Sequence, residues 1–205
     1  RIQFAKFTNS AFKAADAGNA FRTLEKTLLL ELVYPQVTAS FPILPDLRKS
    51  PKLLWLDTGM VNYVVGMQEE LLFSNDADEL WNGDIAEHVV GQELLGASLA
   101  FGEKRMFWVR DAKNSQAEVD FLIRFRAHLI PIEVKTGVNT RLRSLHQFME
   151  ESKEKVALRL WNGPMTSDTI ARSGGEPFTL YNIPIYYAGH LHVFLQRKIG
   201  GMAFG

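Results

Sequence analysis

The sequence predicts an α/β fold, in which a mixed central sheet is flanked by helices and preceded by a small winged-helix-like segment. Some stretches repeat apolar residues every three or four positions, others alternate apolar and polar residues, and the two patterns follow one another along the chain. The 205 residues are 46% hydrophobic and 22% charged, which is enough apolar material for a substantial core. The chain has no cysteine, so a disulfide framework, a thiol nucleophile and a thiolate zinc site are excluded.

Residues 1–48 are predicted to form the winged-helix-like segment. Ser10–Asp16 is expected to be a short helix that ends at Gly18. Asn19–Val33 is expected to be a longer helix, because its apolar residues form a single stripe: Phe21, Leu24, Leu28 and Leu32. Tyr34–Thr38 then looks extended. A unit of this kind either binds DNA or packs against its neighbour, and both interpretations stay open.

Residues 49–205 are predicted to form the second domain, which follows a proline-rich linker. Its expected elements, in chain order, are a strand at 53–56, a helix at 84–97, strands at 105–110, 117–124 and 129–135, a helix at 140–153, and strands at 156–161 and 183–187. Residues 125–128 are short enough to join two of these strands as a hairpin.

Two of the neighbouring strands carry charged side chains opposite their apolar face. In the first strand, alternation places Asp120 on the face away from Val119, Phe121 and Ile123. In the second strand, Glu133 and Lys135 lie opposite the apolar residues Ile130, Ile132 and Val134. Opposed residues in paired strands are only about 5 Å apart. We therefore expect Asp120, Glu133 and Lys135 to lie together on one side of the sheet.

This group of side chains has the chemistry of a phosphodiester-hydrolysing metal site. Two close carboxylates repel each other unless a cation lies between them, and oxygen ligands favour a hard ion such as Mg²⁺ or Mn²⁺. Such an ion polarises a phosphoryl oxygen and helps to form hydroxide from water. Lys135 is expected to orient or deprotonate the attacking water, or to stabilise the developing negative charge.

The Asp on one strand followed by Glu-x-Lys on the next resembles the PD-(D/E)-x-K nuclease superfamily. The resemblance implies a restriction-endonuclease-like fold in which Asp120 and Glu133 are metal ligands, Lys135 is the superfamily's lysine, and DNA or RNA is the substrate. It also implies a further metal-binding Glu on the preceding helix. Glu87 is similar to that residue, and Glu93 is a second candidate.

The pattern departs from the superfamily in two respects. Val119 precedes the Asp, where the named pattern has Pro. Some relatives also carry Gln-x-x-x-Tyr on the helix after the lysine, whereas here Gln147 is followed at that spacing by Glu151.

A broader resemblance covers nearly the whole chain. The order and spacing of four segments are similar to those of the C-terminal domain of unknown function in prokaryotic AAA-type ATPases: 54–59, 107–110, 118–121 and 131–135. The sequence contains no G-x-x-x-x-G-K-[ST], and it starts with Arg1 rather than Met. We therefore expect an ATPase domain elsewhere in the same full-length protein. The alternative to a nuclease is a catalytically inactive, nuclease-like module that mediates interactions of that ATPase.

Several other features have two interpretations each. Glu118 is interpreted as a rim salt bridge, and Asp57-Thr58-Gly59 as a strand-ending turn rather than half of an aspartic-protease dyad. His190 and His192 have a spacing that suits zinc but no obvious third ligand. Arg141 and Arg143 either contact phosphates or begin a solvated helix.

The sequence contains no run of about 18–20 apolar residues and no apolar signal-peptide core. We therefore expect a cytoplasmic protein without a membrane-spanning segment.

Overall fold

A computed structural model describes residues 1, 3, 13–64, 83–97, 104–110, 117–136 and 141–201. The helices are α1 (Ala14–Lys26), α2 (Thr58–Val64), α3 (Gly83–Gly96), α4 (Arg143–Glu151) and α5 (Leu191–Ile199), with a 3₁₀ helix at Ile185–His190. The strands are β1 (Leu30–Val33), β2 (Lys52–Trp55), β3 (Met106–Val109), β4 (Glu118–Phe125), β5 (His128–Lys135), β6 (Val156–Trp161), β7 (Thr166–Ile170) and β8 (Phe178–Pro184).

The main sheet has six strands in the order β3-β4-β5-β6-β8-β7. The β3–β4, β4–β5 and β7–β8 pairs are antiparallel, whereas β5–β6 and β6–β8 are parallel. The predicted mixed sheet flanked by helices is therefore confirmed. A tight turn joins β4 to β5, in which Arg126 has a φ of 55°, so the predicted hairpin is also present.

Helices cover both faces of this sheet. On one face, α3, α5 and the 3₁₀ helix pack over alternate residues of the central strands, such as Ile132 and Leu158, in one apolar cluster. On the other face, α4 packs over the intervening residues, such as Leu129 and Ala157, in a second cluster. This two-sided burial explains why β5 and β6 are apolar along most of their length.

A small second sheet joins the N-terminal segment to the edge of the main sheet. β1 and β2 pair antiparallel, with Leu30 opposite Trp55. Gln36 exchanges backbone hydrogen bonds with the edge strand: its N–H donates to Phe107 (2.8 Å), and its carbonyl accepts from Val109 (2.9 Å). The β1–β2 pair crosses the predicted boundary at residue 48. The division into two domains there stays a prediction.

The predicted helices of the N-terminal segment are wrong in detail. Residues 10–12 lie outside the described residues, but α1 runs through Gly18 instead of ending there. The helix also ends at Lys26, and the predicted helix Asn19–Val33 becomes a strand in its last four residues. Leu28 has a φ of 60°, which stops a helix of L-residues, and its side chain is 74% exposed. Residues 30–33 therefore pair with β2 as a strand, although the spacing of their apolar residues suits a helix.

Three C-terminal elements were not predicted: β7, the 3₁₀ helix and α5. The first four residues of β7 are polar and exposed, so it has no apolar alternation to indicate a strand. The expected strand at 183–187 lies instead at Phe178–Pro184 and is followed by the 3₁₀ helix and α5. Among the described residues, no helix is long and apolar enough to cross a membrane.

Candidate functional site

The side chain of Lys52, on β2, lies at the centre of a group of three carboxylates from α3 and β4. Its Nζ lies 2.7 Å from Glu87 Oε1, 3.0 Å from Glu118 Oε1 and 3.9 Å from Asp120 Oδ1. Nζ also donates to the Asp120 carbonyl at 3.3 Å, and the side chain is only 7% exposed. Burial alone would lower the pKa of Lys52, but the three carboxylates outweigh it and the pKa is raised. The ammonium is therefore a fixed positive charge.

A β-bulge in β4 lies at Asp120, between Val119 and Leu122. Met106 pairs with Leu122 and Trp108 pairs with Val119, so three steps along β4 match two along β3. The extra residue interrupts the alternation expected for this strand. Val119 packs in the α4-side cluster, whereas Phe121 packs in the other one. The expectation that these two residues share a face is therefore wrong.

Asp120 lies where β4 and β5 separate. The paired residues of these strands end at Phe121 and Ile132. Beyond this pair of residues, the Val134 N–H of β5 donates its hydrogen bond to the side chain of Asp120, at 2.8 Å from Oδ2. Burial raises the pKa of Asp120 to about 7, helped by the negative charge of Glu133, while Lys52 opposes the rise. Asp120 and Glu133 are thus close enough to repel each other.

Glu133 and Lys135 form an ion pair beside Asp120. Lys135 Nζ lies 2.8 Å from Glu133 Oε1, while Glu133 Oε2 is buried without a hydrogen-bond partner among the described residues. Burial raises the pKa of Glu133, and the hydrogen bond and charge of Lys135 offset part of the rise. Burial would lower the pKa of Lys135, but its pairing with Glu133 raises it, so the lysine stays protonated.

A cleft of about 510 Å³ opens beside the cluster. Its polar lining includes Lys52, Glu87, His88, Glu118 and Arg1. Arg1 Nε lies 3.0 Å from Glu118 Oε2, so Glu118 joins two cations. The interpretation of Glu118 as a rim salt bridge is therefore too narrow, because it also belongs to the cluster around Lys52.

The cluster includes Glu87 and leaves the other candidates outside it. Glu93 is an exposed residue of α3. Asp57 caps a turn, its Oδ1 accepting from the Gly59 N–H at 2.7 Å, which agrees with the interpretation of that triplet as a turn. His190, Arg141 and Arg143 are exposed.

The residues present fit a hard divalent cation by type but are not gathered around one point. Asp120, Glu133 and Glu87 supply oxygen donors, and the unpaired Glu133 Oε2 is a free buried acceptor. However, the described residues contain no group of three His, Asp or Glu side chains arranged to hold a metal ion. Lys52 and Lys135 occupy carboxylate oxygens that a metal would otherwise contact.

Lys52 was not among the residues predicted from the sequence to belong to the site. A signal for it exists, because Lys52 and Leu54 share the buried side of β2. A lysine at a core-facing strand position requires carboxylate partners. Its partners could not be identified from spacing, since Glu87 and Asp120 lie 35 and 68 residues away.

No curated protein and no solved structure matches the chain. One family model does match, over a segment that includes four of the charged residues described above: Glu87, Asp120, Glu133 and Lys135. Residues 82–177 match the family described as Domain of unknown function (DUF4143).

Proposed function

We propose that this chain carries a metal-dependent nuclease-type site that hydrolyses phosphodiester bonds in DNA or RNA. The observation that carries the proposal is the pair of adjacent carboxylates, Asp120 and Glu133, with Lys135 alongside. The pKa of both acids is raised because they are buried and because neighbouring carboxylates carry the same charge. A divalent cation is the ligand that would relieve that repulsion, and Mg²⁺ or Mn²⁺ suits the oxygen donors.

In the proposed site, Asp120 and Glu133 hold the cation, and Glu87 is the third ligand. Bound there, the ion would supply Lewis acidity towards a phosphoryl oxygen. The Val134 N–H fixes one oxygen of Asp120, which orients its carboxylate before any ligand arrives. Lys135, protonated and half-buried, is placed to stabilise negative charge on a phosphoryl oxygen or to orient a water molecule.

The fold proposed for this site is restriction-endonuclease-like. Its support is the sequence of elements: a helix with Glu87, a strand with Asp120, and an adjacent strand with Glu133 and Lys135. This order agrees with the one implied by the resemblance to PD-(D/E)-x-K nucleases. The winged-helix-like character of residues 1–48 is part of the same proposal, although β1, the strand of that segment, pairs with β2 beyond its boundary.

We also propose that an AAA-type ATPase domain of the same full-length protein is the partner of this chain. The match of residues 82–177 to a domain of unknown function is in keeping with the family resemblance of the sequence. The activity of the ATPase would then be coupled to nucleic acid held by this domain.

A second candidate function is a catalytically inactive, nuclease-like interaction module. The specific observation in its favour is Lys52, whose ammonium already lies among Glu87, Glu118 and Asp120. An internal cation offsets the charge of these carboxylates without any metal, as a buried charge cluster requires. In this alternative the cluster stabilises the fold, and the cleft beside it binds a partner without cleaving it.

Plasmid cleavage distinguishes the two candidates. Wild-type protein is incubated with supercoiled DNA and with structured RNA in Mg²⁺, in Mn²⁺ and in EDTA. The nuclease proposal expects metal-dependent cleavage that falls by at least about 100-fold in Lys135→Met, because a donor to the developing charge is lost. The exposed pair of Lys155 with Glu176 provides the control variant Lys155→Met, which should cleave like wild type. Absence of cleavage in every metal would favour the interaction module.

A further inference from the structure

A line of three buried polar side chains, which begins with Glu133, crosses the sheet. The strand register places Glu133 of β5 opposite Arg159 of β6, and Arg159 opposite Asn182 of β8. We call these three residues the polar row. They lie at the carboxyl-terminal ends of three parallel strands, on the face that α4 covers further along. Ligands of open α/β sheets bind at this end of parallel strands.

Four polar atoms of the row have no hydrogen-bond partner among the described residues. They are Glu133 Oε2, Arg159 Nε, Arg159 Nη2 and Asn182 Oδ1. The three residues are 5%, 7% and 4% exposed, so little of this surface is open to water. Buried polar groups are normally paired, because an unpaired one destabilises the fold. Such a concentration of unpaired donors and acceptors beside a candidate site suits the binding of a polar ligand.

Arg159 is held in a defined orientation by an aromatic neighbour. Its guanidinium lies 4.3 Å from the ring centroid of Trp161, and the Trp161 Nε1–H donates to the Pro164 carbonyl at 3.1 Å. Stacking on a ring fixes the plane of a guanidinium but satisfies none of its N–H groups. Two donors of Arg159 thus remain available in a fixed fork, the geometry that recognises phosphate or carboxylate oxygens.

Charges of both signs lie near Arg159, and among them the negative charge of Asp168 partly offsets the lowering of the Arg159 pKa by burial. In the strand register Lys135 lies opposite Trp161, one pleat from Arg159. The positive charge of Arg159 is near enough to Lys135 to lower the pKa of that lysine, although the pKa is raised on balance. The acid of the row, Glu133, is already paired with Lys135 rather than with Arg159. Asn182 is held by its amide, which donates to Thr166 Oγ1 and Asp168 Oδ2 at 3.0 and 2.7 Å.

We propose that Arg159 binds a backbone phosphate of nucleic acid through Nε and Nη2, next to the phosphodiester held at Asp120, Glu133 and Lys135. The inference rests on the proposed function, because a nucleic-acid strand bound at that site would extend along the polar row. Arg159 is a substrate-binding residue in this account and takes no part in bond cleavage.

The test measures binding of a fluorescein-labelled DNA duplex by anisotropy, in EDTA, from 50 to 200 mM salt. One phosphate contact contributes about 0.9 to the slope of log affinity against log salt. Arg159→Met is therefore expected to reduce the slope by about 0.9 and the affinity at 100 mM salt by about eightfold. Arg159→Lys keeps a point charge and should retain most of the slope. The control is Arg197→Met, an exposed arginine in the last turn of α5, which should bind like wild type.

The possible outcomes separate this inference from the proposed function. The melting temperature of Arg159→Met is expected to stay near that of wild type, because an apolar residue replaces an unpaired buried charge. An unchanged salt slope in Arg159→Met, or no DNA binding by wild type, overturns the inference. Cleavage assays in Mg²⁺ run in parallel. A salt slope that depends on Arg159, without any cleavage, would support the phosphate site and contradict the nuclease proposal. Cleavage with an unchanged slope in Arg159→Met would support the nuclease proposal and contradict the phosphate site.

Discussion

Burying the ammonium of Lys52 costs free energy that only nearby negative charge offsets. Lys52 meets Glu87, Glu118 and Asp120 within 4 Å, and its Nζ also lies 4.8 Å from the centroid of the Phe107 ring. The cation and the three acids therefore depend on one another. Removing Lys52 leaves three close carboxylates, which is the situation that favours a divalent ion.

Lys52→Met is expected to destabilise the metal-free protein by about 2–4 kcal/mol, because the partly buried carboxylates lose their cation. Mn²⁺ should then raise the melting temperature of the variant more than that of wild type, since the ion replaces the lost charge. Urea denaturation and thermal melts measure the two effects.

The matched control for Lys52→Met is Lys155→Met, which removes one end of an exposed ion pair with Glu176. Its cost should stay under about 1 kcal/mol. Equal costs for the two variants would contradict the central position given to Lys52.

Asp120 should make the stability of the metal-free protein depend on pH. Its pKa is raised from 3.8 to about 7 in the folded protein, so the folded state holds a proton that the unfolded state has lost. The resulting stability is complete below about pH 4 and declines as the pH rises towards 7. Asp120→Asn lacks this titration. Denaturation of both proteins in EDTA at pH 5 and pH 8 should therefore show wild type losing stability relative to the variant. The reverse trend would contradict the raised pKa.

At the residue scale, the short hairpin between β4 and β5 was enough to predict that Asp120 lies near Glu133, whereas the strand alternation assumed for β4 was wrong at the bulge. The bulge at Asp120 was not predictable, since it depends on how β3 pairs with β4. Arg159 looks like an interruption in an apolar strand until the register of β5, β6 and β8 is known.

At the element scale, α3, which presents Glu87 to the cluster, comes close to the Phe121 side chain of β4 at Gly91. A Cβ at Gly91 would lie 3.0 Å from Arg105 Nη1 and 3.1 Å from Phe121 Cζ. The Arg105 side chain is itself pinned, with its Nε 2.6 Å from Glu31 Oε2 in a buried ion pair. Only glycine permits this approach without displacing one of the two neighbours.

Gly91→Ala is therefore expected to destabilise the protein by about 1–2 kcal/mol, although alanine favours a helix by about 1 kcal/mol. Gly96→Ala is the control, because a Cβ there meets nothing within 4 Å and the exposed helix end should gain slightly. Chemical denaturation of both variants provides the comparison. A stabilised Gly91→Ala protein would show that the contact between α3 and β4 is looser than described.

Elements with a strong pattern were predictable and those with a weak one were not. α3, β4, β5 and β6 have clear periodicity and were placed within about two residues. The end of α1 was wrong because the apolar spacing of Leu24, Leu28 and Leu32 suits a helix, whereas the chain reverses at Leu28 and pairs with β2. That pairing is a long-range contact, which local spacing does not report.

At the scale of the whole molecule, the N-terminal segment supports the candidate site as well as the fold. β2 carries Lys52 into the carboxylate cluster, and β1 carries Glu31 to Arg105. Val33 and Leu54 belong to the same apolar cluster as the central strands of the main sheet. The small sheet and the main sheet are thus held together by burial, by the ion pairs of Lys52 with Glu118 and Asp120 in the site, and by the ion pair of Glu31 with Arg105.

The central claim is that Asp120 and Glu133 bind a divalent cation, and calorimetric titration with Mn²⁺ tests it most directly. Wild type should bind one ion, with the affinity reduced at least about tenfold in Asp120→Asn and in Glu133→Gln, since each removes a charged ligand. Glu93→Gln, on the exposed side of α3, should bind like wild type. Failure of wild type to bind Mn²⁺, or equal binding by Asp120→Asn, would contradict the account.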